Sequence, residues 1–240
     1  MAEVFIGWDP REAEVADVCR HSILSRTKRT DLRIHDLKLE HLREQGIYTR
    51  ALETRDGRMW DPISEAPMST EFAISRFAVP LLAKEQWAIF CDCDFLWLCD
   101  IDEVLSMANP DYALMCVQHE QEVKHDTKMD GQLQLLYARK NWSSLMLWNC
   151  HHPAHKSLTV EALNSRPGRD LHRFFWLDDD EIGAIPVQYN WLEGHSDDTI
   201  EPKVIHYTRG GPWFDDWQDV AYADLWLKEL ADTRASRSST

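Results

Sequence analysis

Trp87-Ala88-Ile89-Phe90-Cys91-Asp92-Cys93-Asp94-Phe95 is the stretch on which the reading of this chain turns. An unbroken apolar run here meets two carboxylates spaced two apart. A short run of that kind, without alternation, reads as a strand buried on both faces, and such strands belong to parallel sheets covered by helices. In those sheets ligands bind beyond the carboxyl ends of the strands, which is where Asp92 and Asp94 would emerge. Acids placed there cost desolvation energy unless a positive partner arrives. A hard divalent cation, Mn²⁺ or Mg²⁺, suits oxygen ligands and can bridge to a diphosphate. Because Asp-x-Asp also occurs as a simple turn cap, the pair needs support from elsewhere in the chain.

That support comes from Val204-Ile205-His206-Tyr207-Thr208-Arg209-Gly210-Gly211-Pro212-Trp213, where a histidine follows a second apolar run and is followed by a cation and two glycines. Imidazole can complete a metal site whose other ligands are carboxylates. Gly210 and Gly211 allow backbone N–H groups to approach phosphate oxygens, and Arg209 can neutralise them. Asp92, Asp94 and His206 are therefore the candidate metal ligands.

Working outward, Glu3 to Trp8 reads as a buried strand. Asp9-Pro10 supplies an N-cap and a first-turn proline for a helix reaching about Ser25, and Leu32, Ile34 and Leu37 alternate as a strand does. Residues 38–68 are rich in charge, Gly and Pro and carry no assignment beyond Tyr48 and Trp60 as anchors. Ser69 or Thr70 is the expected cap of a helix through Leu82, bent or ended at Pro80. Ile101 to Met107 fits a short helix, and Tyr112 to Val117 and Ser144 to Trp148 fit strands. The fold class is α/β: one domain over 1–232, with a mainly parallel central sheet flanked by helices. The polar stretch 233–240 is expected to be a disordered tail.

The 240 residues are 44% hydrophobic, enough for one sizeable core. A formal net charge of −15 disfavours sequence-independent binding to a phosphate backbone. Eleven tryptophans serve mostly as core fillers, although flat aromatic faces also suit sugar rings. Trp87 to Ile101 is too short and too acidic to span a membrane. Six cysteines in apolar stretches read as reduced core residues, and the opening residues lack a secretory pattern, so a cytoplasmic enzyme is expected. Three weaker patterns favour the bland reading: the histidines 151, 152 and 155 lack the partners of a zinc site, Cys91-x-Cys93 is core packing more than a redox pair, and the basic stretch Lys124, Lys128, Arg139 and Lys140 is more often solvated than an anion contact.

These segments together resemble the GT-A glycosyltransferases, particularly glycosyltransferase family 8 and related bacterial and phage-type enzymes. The resemblance implies that Gly7, Trp8 and Asp9 lie beside the nucleotide base. It further implies that Arg76 reaches the donor site, that Cys93 belongs to the Asp-x-Asp motif there, and that Asn149 ends a strand near the sugar. Asp179 and Asp180, with Asn190, resemble the acidic loop facing the reacting centre and are the implied catalytic carboxylates. Arg209, Gly210, Gly211 and Trp213 match the diphosphate motif, with Gly211 where that family usually carries lysine. The implied reaction moves a hexose from a UDP-sugar to a glycan, protein or modified DNA base, with Mn²⁺ or Mg²⁺ as cofactor and retention of anomeric configuration. Nucleic acid enters only as such a modified-base acceptor. A nucleotidyltransferase of similar fold would need a glycine-rich basic loop after the first strand, where this chain has Trp8-Asp9-Pro10-Arg11-Glu12. A non-catalytic carbohydrate-binding protein would explain the tryptophans and not the metal ligands.

Overall fold

Val4, Phe5 and Ile6 are buried in strand β1 (Ala2–Gly7), and Asp9 then caps a 3-10 turn at Pro10–Glu12 by accepting from the Arg11 N–H at 2.9 Å. Helix α1 (Ala13–Leu24) follows, and β2 (Leu32–Leu37) returns parallel to β1, so the predicted β-α-β opening is present. The computed structural model describes residues 1–119, 139 and 141–238. Most of the basic stretch singled out in the sequence lies outside them.

Residues 38–68 contain order that the sequence does not announce: helix α2 (Leu39–Glu44) and a small antiparallel sheet of β3 (Glu53–Arg55), β4 (Arg58–Asp61) and β5 (Ala66–Pro67). Arg50 ties it down. Its buried guanidinium pairs with Asp61 and donates to the carbonyls of Leu163 at 3.0 Å and Arg166 at 2.7 Å. Tyr48 is buried as expected, and Trp60 is half-buried under the Arg55 guanidinium.

The predicted helix before the central strand is broken into α3 (Phe72–Ser75), a 3-10 turn at Arg76–Ala78, and α4 (Val79–Leu82), with Pro80 in the first turn of α4, where its missing N–H costs nothing. Neither Ser69 nor Thr70 caps it; instead the Glu71 N–H is taken by the distant carboxylate of Asp9 at 3.0 Å. Next come β6 (Trp87–Cys91), β7 (Phe95–Trp97), α5 (Asp102–Leu105) and β8 (Leu114–Cys116). After these the chain forms β9 (Leu145–Asn149), α6 (Val160–Ser165), α7 (Gly168–His172), β10 (Ile182–Ala184), β11 (Trp191–Leu192), β12 (Val204–His206) and α8 (Ala223–Arg237).

The central sheet has the order β10-β8-β9-β6-β1-β2. β1 is parallel to both β2 and β6, and β10 is parallel to β8; β9 alone runs against its neighbours β6 and β8. Leu145 therefore lies opposite Cys91, and Asn149 opposite Trp87. A second sheet, β11-β12-β7, pairs His206 with Phe95 and Val204 with Trp97 in antiparallel register. Val15 and Val18 of α1, Leu96, Trp191, Ile205, Tyr207 and Trp226 of α8 form a small second core around it.

The tail predicted from residue 233 needs correcting, because α8 continues through Thr233 to Arg237. The helix carries its apolar residues on no single stripe, with Leu225 and Leu227 exposed, and it docks through buried Trp226 together with a buried charge. Buried Glu229 accepts from Arg26 at 2.8 Å and meets His21 Nδ1 at 2.6 Å, both from the α1 region. Burial pushes the Glu229 pKa up, but the hydrogen bonds from Arg26 and His21 outweigh it, leaving a net value below 4.5. A depressed carboxylate stabilises the fold above its unfolded pKa and stops doing so as pH falls through the folded one. Glu229→Ala is expected to cost about 2 kcal/mol at pH 7 in urea unfolding, since it removes the buried acceptor of charge-assisted hydrogen bonds from Arg26 and His21. The deficit should shrink steadily below pH 4.5; a deficit independent of pH would show that the ion pair is not what docks α8.

Candidate metal centre

β6 ends at Cys91, so Asp92 and Asp94 emerge at the carboxyl edge of the central sheet, as predicted. β7 then turns into the second sheet, where its antiparallel partner β12 brings His206 opposite Phe95, with the two rings stacked 4.4 Å apart. The Tyr207 N–H donates to the Asp94 carbonyl at 3.1 Å, which fixes the two strands at that point. The ligand atoms of Asp92, Asp94 and His206 all lie within 4.8 Å of one another, the one such group of His, Cys, Asp or Glu found among the described residues.

A directional relay fixes the His206 tautomer. The Ser144 hydroxyl donates to the Asn141 carbonyl at 3.0 Å, so it receives the Asn190 amide N–H at 2.9 Å. The Asn190 carbonyl oxygen is thereby turned to His206 Nδ1 at 3.1 Å, and Nδ1 must carry the proton. With the proton on Nδ1, the neutral form of the ring turns the Nε2 lone pair toward Asp94 Oδ1 at 3.4 Å and Asp92 Oδ2 at 4.0 Å. Asp94 Oδ1 is buried and has no hydrogen-bond donor. Acceptors confronting acceptors in a buried group fit a divalent cation, and an imidazole whose second nitrogen is held by an amide is how protein-bound metals are commonly ligated.

Arg76 sits behind Asp92: Nη1 lies 2.8 Å from Asp92 Oδ1 and donates to the Ser143 carbonyl at 3.0 Å. Burial raises the Asp92 pKa, Arg76 pulls it back, and the neighbouring Asp94 raises it again, for a net upward shift. Arg76 therefore positions an acid instead of facing open solvent. Cys93 is buried, with its thiol 3.5 Å from Glu12, so it backs the site without lining it. Glu12 is the site residue that sequence reasoning missed. Burial first, and the Asp94 charge second, push its pKa up to about 7. Its one visible signal is position, in the first turn after β1, at the edge where ligands bind.

Gly7 ends β1 at this same edge, and Trp8 and Asp9 follow it. A Cβ on Gly7 would lie 2.4 Å from the Phe72 ring, and Asp9 is wholly buried, its oxygens committed to Arg11 and Glu71. Trp8 lines a cavity of about 420 Å³ with Leu39, Arg43, Leu52 and Glu71. Past His206, Arg209 pairs with buried Glu193 at 2.8 Å. Gly210 takes a φ of +120°, and a Cβ on Gly211 would strike the Trp213 ring, which packs against Tyr207 and Trp226.

Two expectations do not hold. Asn149 lies at the opposite edge of the sheet, opposite Trp87, and donates to the Tyr112 carbonyl at 3.2 Å; because β9 runs backwards, its beginning, Ser143 and Ser144, faces the site. Asp179 and Asp180 precede β10, which is parallel to β8 and enters the sheet from the edge away from Asp92 and Asp94. Asp179 is 91% exposed at the side chain and paired with Arg139 at 2.5 Å, so the acid run is a solvated turn and not the catalytic pair. The disfavoured zinc site is absent at His155, whose Nε2–H donates to the Ala113 carbonyl and whose Nδ1 accepts from the Trp176 indole N–H.

Raised carboxylate pKa values destabilise a fold above the unfolded value. Glu12→Gln is therefore expected to melt higher than wild type in the absence of metal, by a margin that grows between pH 4.5 and about 7 and then levels off. The free-energy ceiling is about 3 kcal/mol, and an unchanged melting curve at pH 8 would show that Glu12 is not held in this environment. Asn190→Leu is expected to weaken Mn²⁺ binding by about 10–100-fold through loss of the His206 orientation, measured by calorimetric titration. Equal affinity in the variant would mean that the relay does not set the tautomer.

No family model matches the chain. Protein CDI of Arabidopsis thaliana is 47% identical over 235 residues, covering 95% of this chain and 86% of that protein. Among solved structures, the WbbM bifunctional glycosyltransferase superposes with a TM-score of 0.62 at 15% identity, over 96% of this chain and 49% of that one. The glycosyltransferase GlyE of Streptococcus pneumoniae TIGR4 gives 0.59 at 12% identity, over 95% and 59%. The galactosyltransferase LgtC, solved with donor and acceptor sugar analogs, gives 0.58 at 14% identity, over 96% and 95%. The chain thus spans about half the length of the WbbM chain it matches. With that identity and that superposition, the chain belongs to the family of Protein CDI and has the fold of the family 8-like GT-A glycosyltransferases.

Proposed function

We propose that the chain is a metal-dependent glycosyltransferase that moves a hexose from a UDP-sugar to a hydroxyl acceptor, with retention of anomeric configuration. The observation that carries the reading is the convergence of Asp92, Asp94 and the Nε2 lone pair of His206 at the carboxyl edge of a GT-A sheet. Those three side chains would hold Mn²⁺ or Mg²⁺, and the bound ion would offset charge on the departing nucleoside diphosphate. The chain's own residues do the positioning. Arg76 keeps Asp92 ionised and aimed, Asn190 keeps the His206 lone pair inward, and buried Phe95 holds the imidazole plane. Trp8 and its cavity lie at the same edge, on the side where the resemblance puts the base. The displaced Asp179 and Asp180 take no part, which leaves Glu12 as the additional carboxyl close to the metal ligands.

A cytoplasmic location is part of the proposal, supported by six free, buried cysteines. Among the described residues no helix is long and apolar enough to cross a membrane.

UDP with Mn²⁺ is expected to raise the melting temperature, corresponding to about 2.7 kcal/mol at a hundredfold excess over Kd. Asp94→Ala should melt no lower than wild type without metal, since it removes a repelling charge, and should lose the metal-dependent increment. A variant that responds like wild type would remove Asp94 from the ligand set. Failure of every UDP-hexose to be hydrolysed or transferred by the wild-type protein with Mn²⁺ would overturn the activity.

A further inference from the structure

The 3-10 turn after β1 runs from the Trp8 cavity to the metal centre. Pro10, its first residue, lines the cavity, and Glu12, its last, reaches the Cys93 thiol at 3.5 Å, within electrostatic reach of Asp94. The backbone fixes this course. Asp9 is extended, with φ of −131°, and takes the Arg11 N–H at 2.9 Å, which turns the chain over Pro10 before helix α1 begins at Ala13. The Glu12 side chain is thereby laid against the segment that leaves β6.

The other polar side chains along the turn are committed. Asp9 accepts from the Arg11 guanidinium at 2.9 and 2.7 Å and from the Glu71 N–H at 3.0 Å. Arg11 also donates to the Ser69 carbonyl at 2.6 Å, and Asp92 has Arg76. The Glu12 carboxyl has one hydrogen-bond partner among the described residues, the Cys93 thiol, which is a weak donor. A half-buried carboxyl satisfied so poorly is unfavourable until a ligand completes it.

What completes it follows from where it stands. Glu12 is outside the group whose ligand atoms lie within 4.8 Å of one another, so it is not one of the candidate metal ligands. Its charge opposes that of a phosphate. A hydroxyl donates to a carboxylate and brings no charge with it. A nucleoside diphosphate with its base at the Trp8 cavity and its phosphates on the ion spans this turn, and its middle is the ribose.

We infer that Glu12 is a specificity-determining residue whose carboxyl accepts a hydrogen bond from a ribose hydroxyl of the nucleotide, so that the protein selects ribonucleotides over deoxyribonucleotides. The inference rests on the proposed nucleotide-sugar reading and adds to it a residue and a selectivity. Gly7, Trp8 and Pro10 offer no side-chain acceptor, and the acceptor atoms of Asp9 are spent.

The test is calorimetric titration of the full chain, with Mn²⁺ present, against UDP, 2′-deoxy-UDP and 3′-deoxy-UDP. Wild type is expected to bind UDP about tenfold more tightly than at least one of the deoxy analogues, the contribution of one hydrogen bond to a carboxylate. Glu12→Ala should bind UDP and that analogue with equal affinity. Glu12→Gln, whose amide oxygen still accepts, should keep a preference of about threefold or more. A residue that only props the fold would weaken all three nucleotides in step and leave their ratios unchanged. Equal binding of UDP and both analogues by wild type, or undiminished discrimination in Glu12→Ala, overturns the assignment and leaves the UDP reading intact. Failure of all three nucleotides to bind wild type removes the UDP reading, and the role of Glu12 falls with it.

Discussion

A proton on the wrong side of one imidazole ring would dissolve this site. His206 meets Asp92 and Asp94 with a lone pair because its Nδ1–H is committed to Asn190, and Asn190 is oriented only because Ser144 has already given its own proton to a backbone carbonyl. Each bond in that relay has one permitted direction. Its far end, Asn141, belongs to the turn that starts β9, so the direction of a strand decides the protonation of a ligand two elements away. With the other tautomer, Nε2–H would donate to Asp94 and the group would be a self-satisfied ion pair with no use for a cation.

The reversal of β9 in an otherwise parallel sheet is the second half of that constraint. It puts the amino end of β9 beside the carboxyl end of β6, so the Ser144 carbonyl takes the Asp92 N–H and the Ser143 carbonyl takes Arg76. A parallel β9 would have delivered Asn149 there and left Arg76 a buried charge with one partner fewer. Position in the sheet and chemistry of the site are the same decision at this strand.

The same point explains what could be read from the sequence. Asp92, Asp94 and the β-α-β opening were legible because local apolar runs and their punctuation are short-range properties. His206 was legible because it ends such a run. Strand direction is not encoded in an apolar run, since Leu145 to Asn149 reads the same way in either sense, and the expectation for Asn149 inherited a parallel assumption; Asp179 and Asp180 followed from the resemblance alone and precede a strand that is parallel. The small sheet at residues 53–67 was illegible for another reason: Arg50 is satisfied by carbonyls more than 110 positions away. Glu12 was overlooked because an acid in a first helical turn is ordinarily explained by the helix dipole, and only the proximity of Asp94 gives it another meaning.

Three acids gathered at one edge are unfavourable for the fold in the absence of a cation, and the molecule offsets this unevenly. Asp92 has Arg76, whereas Glu12 has only a thiol and is held neutral up to about pH 7. A carboxyl that gains its charge near neutrality, next to Asp94, whose Oδ1 lacks a donor, couples metal affinity to proton release. The uncompensated charge is also what distinguishes a binding site from a structural ion pair such as Arg50 with Asp61, where every oxygen and most guanidinium nitrogens have partners and nothing further could enter. By that criterion the edge beyond β6 is built to receive something positive.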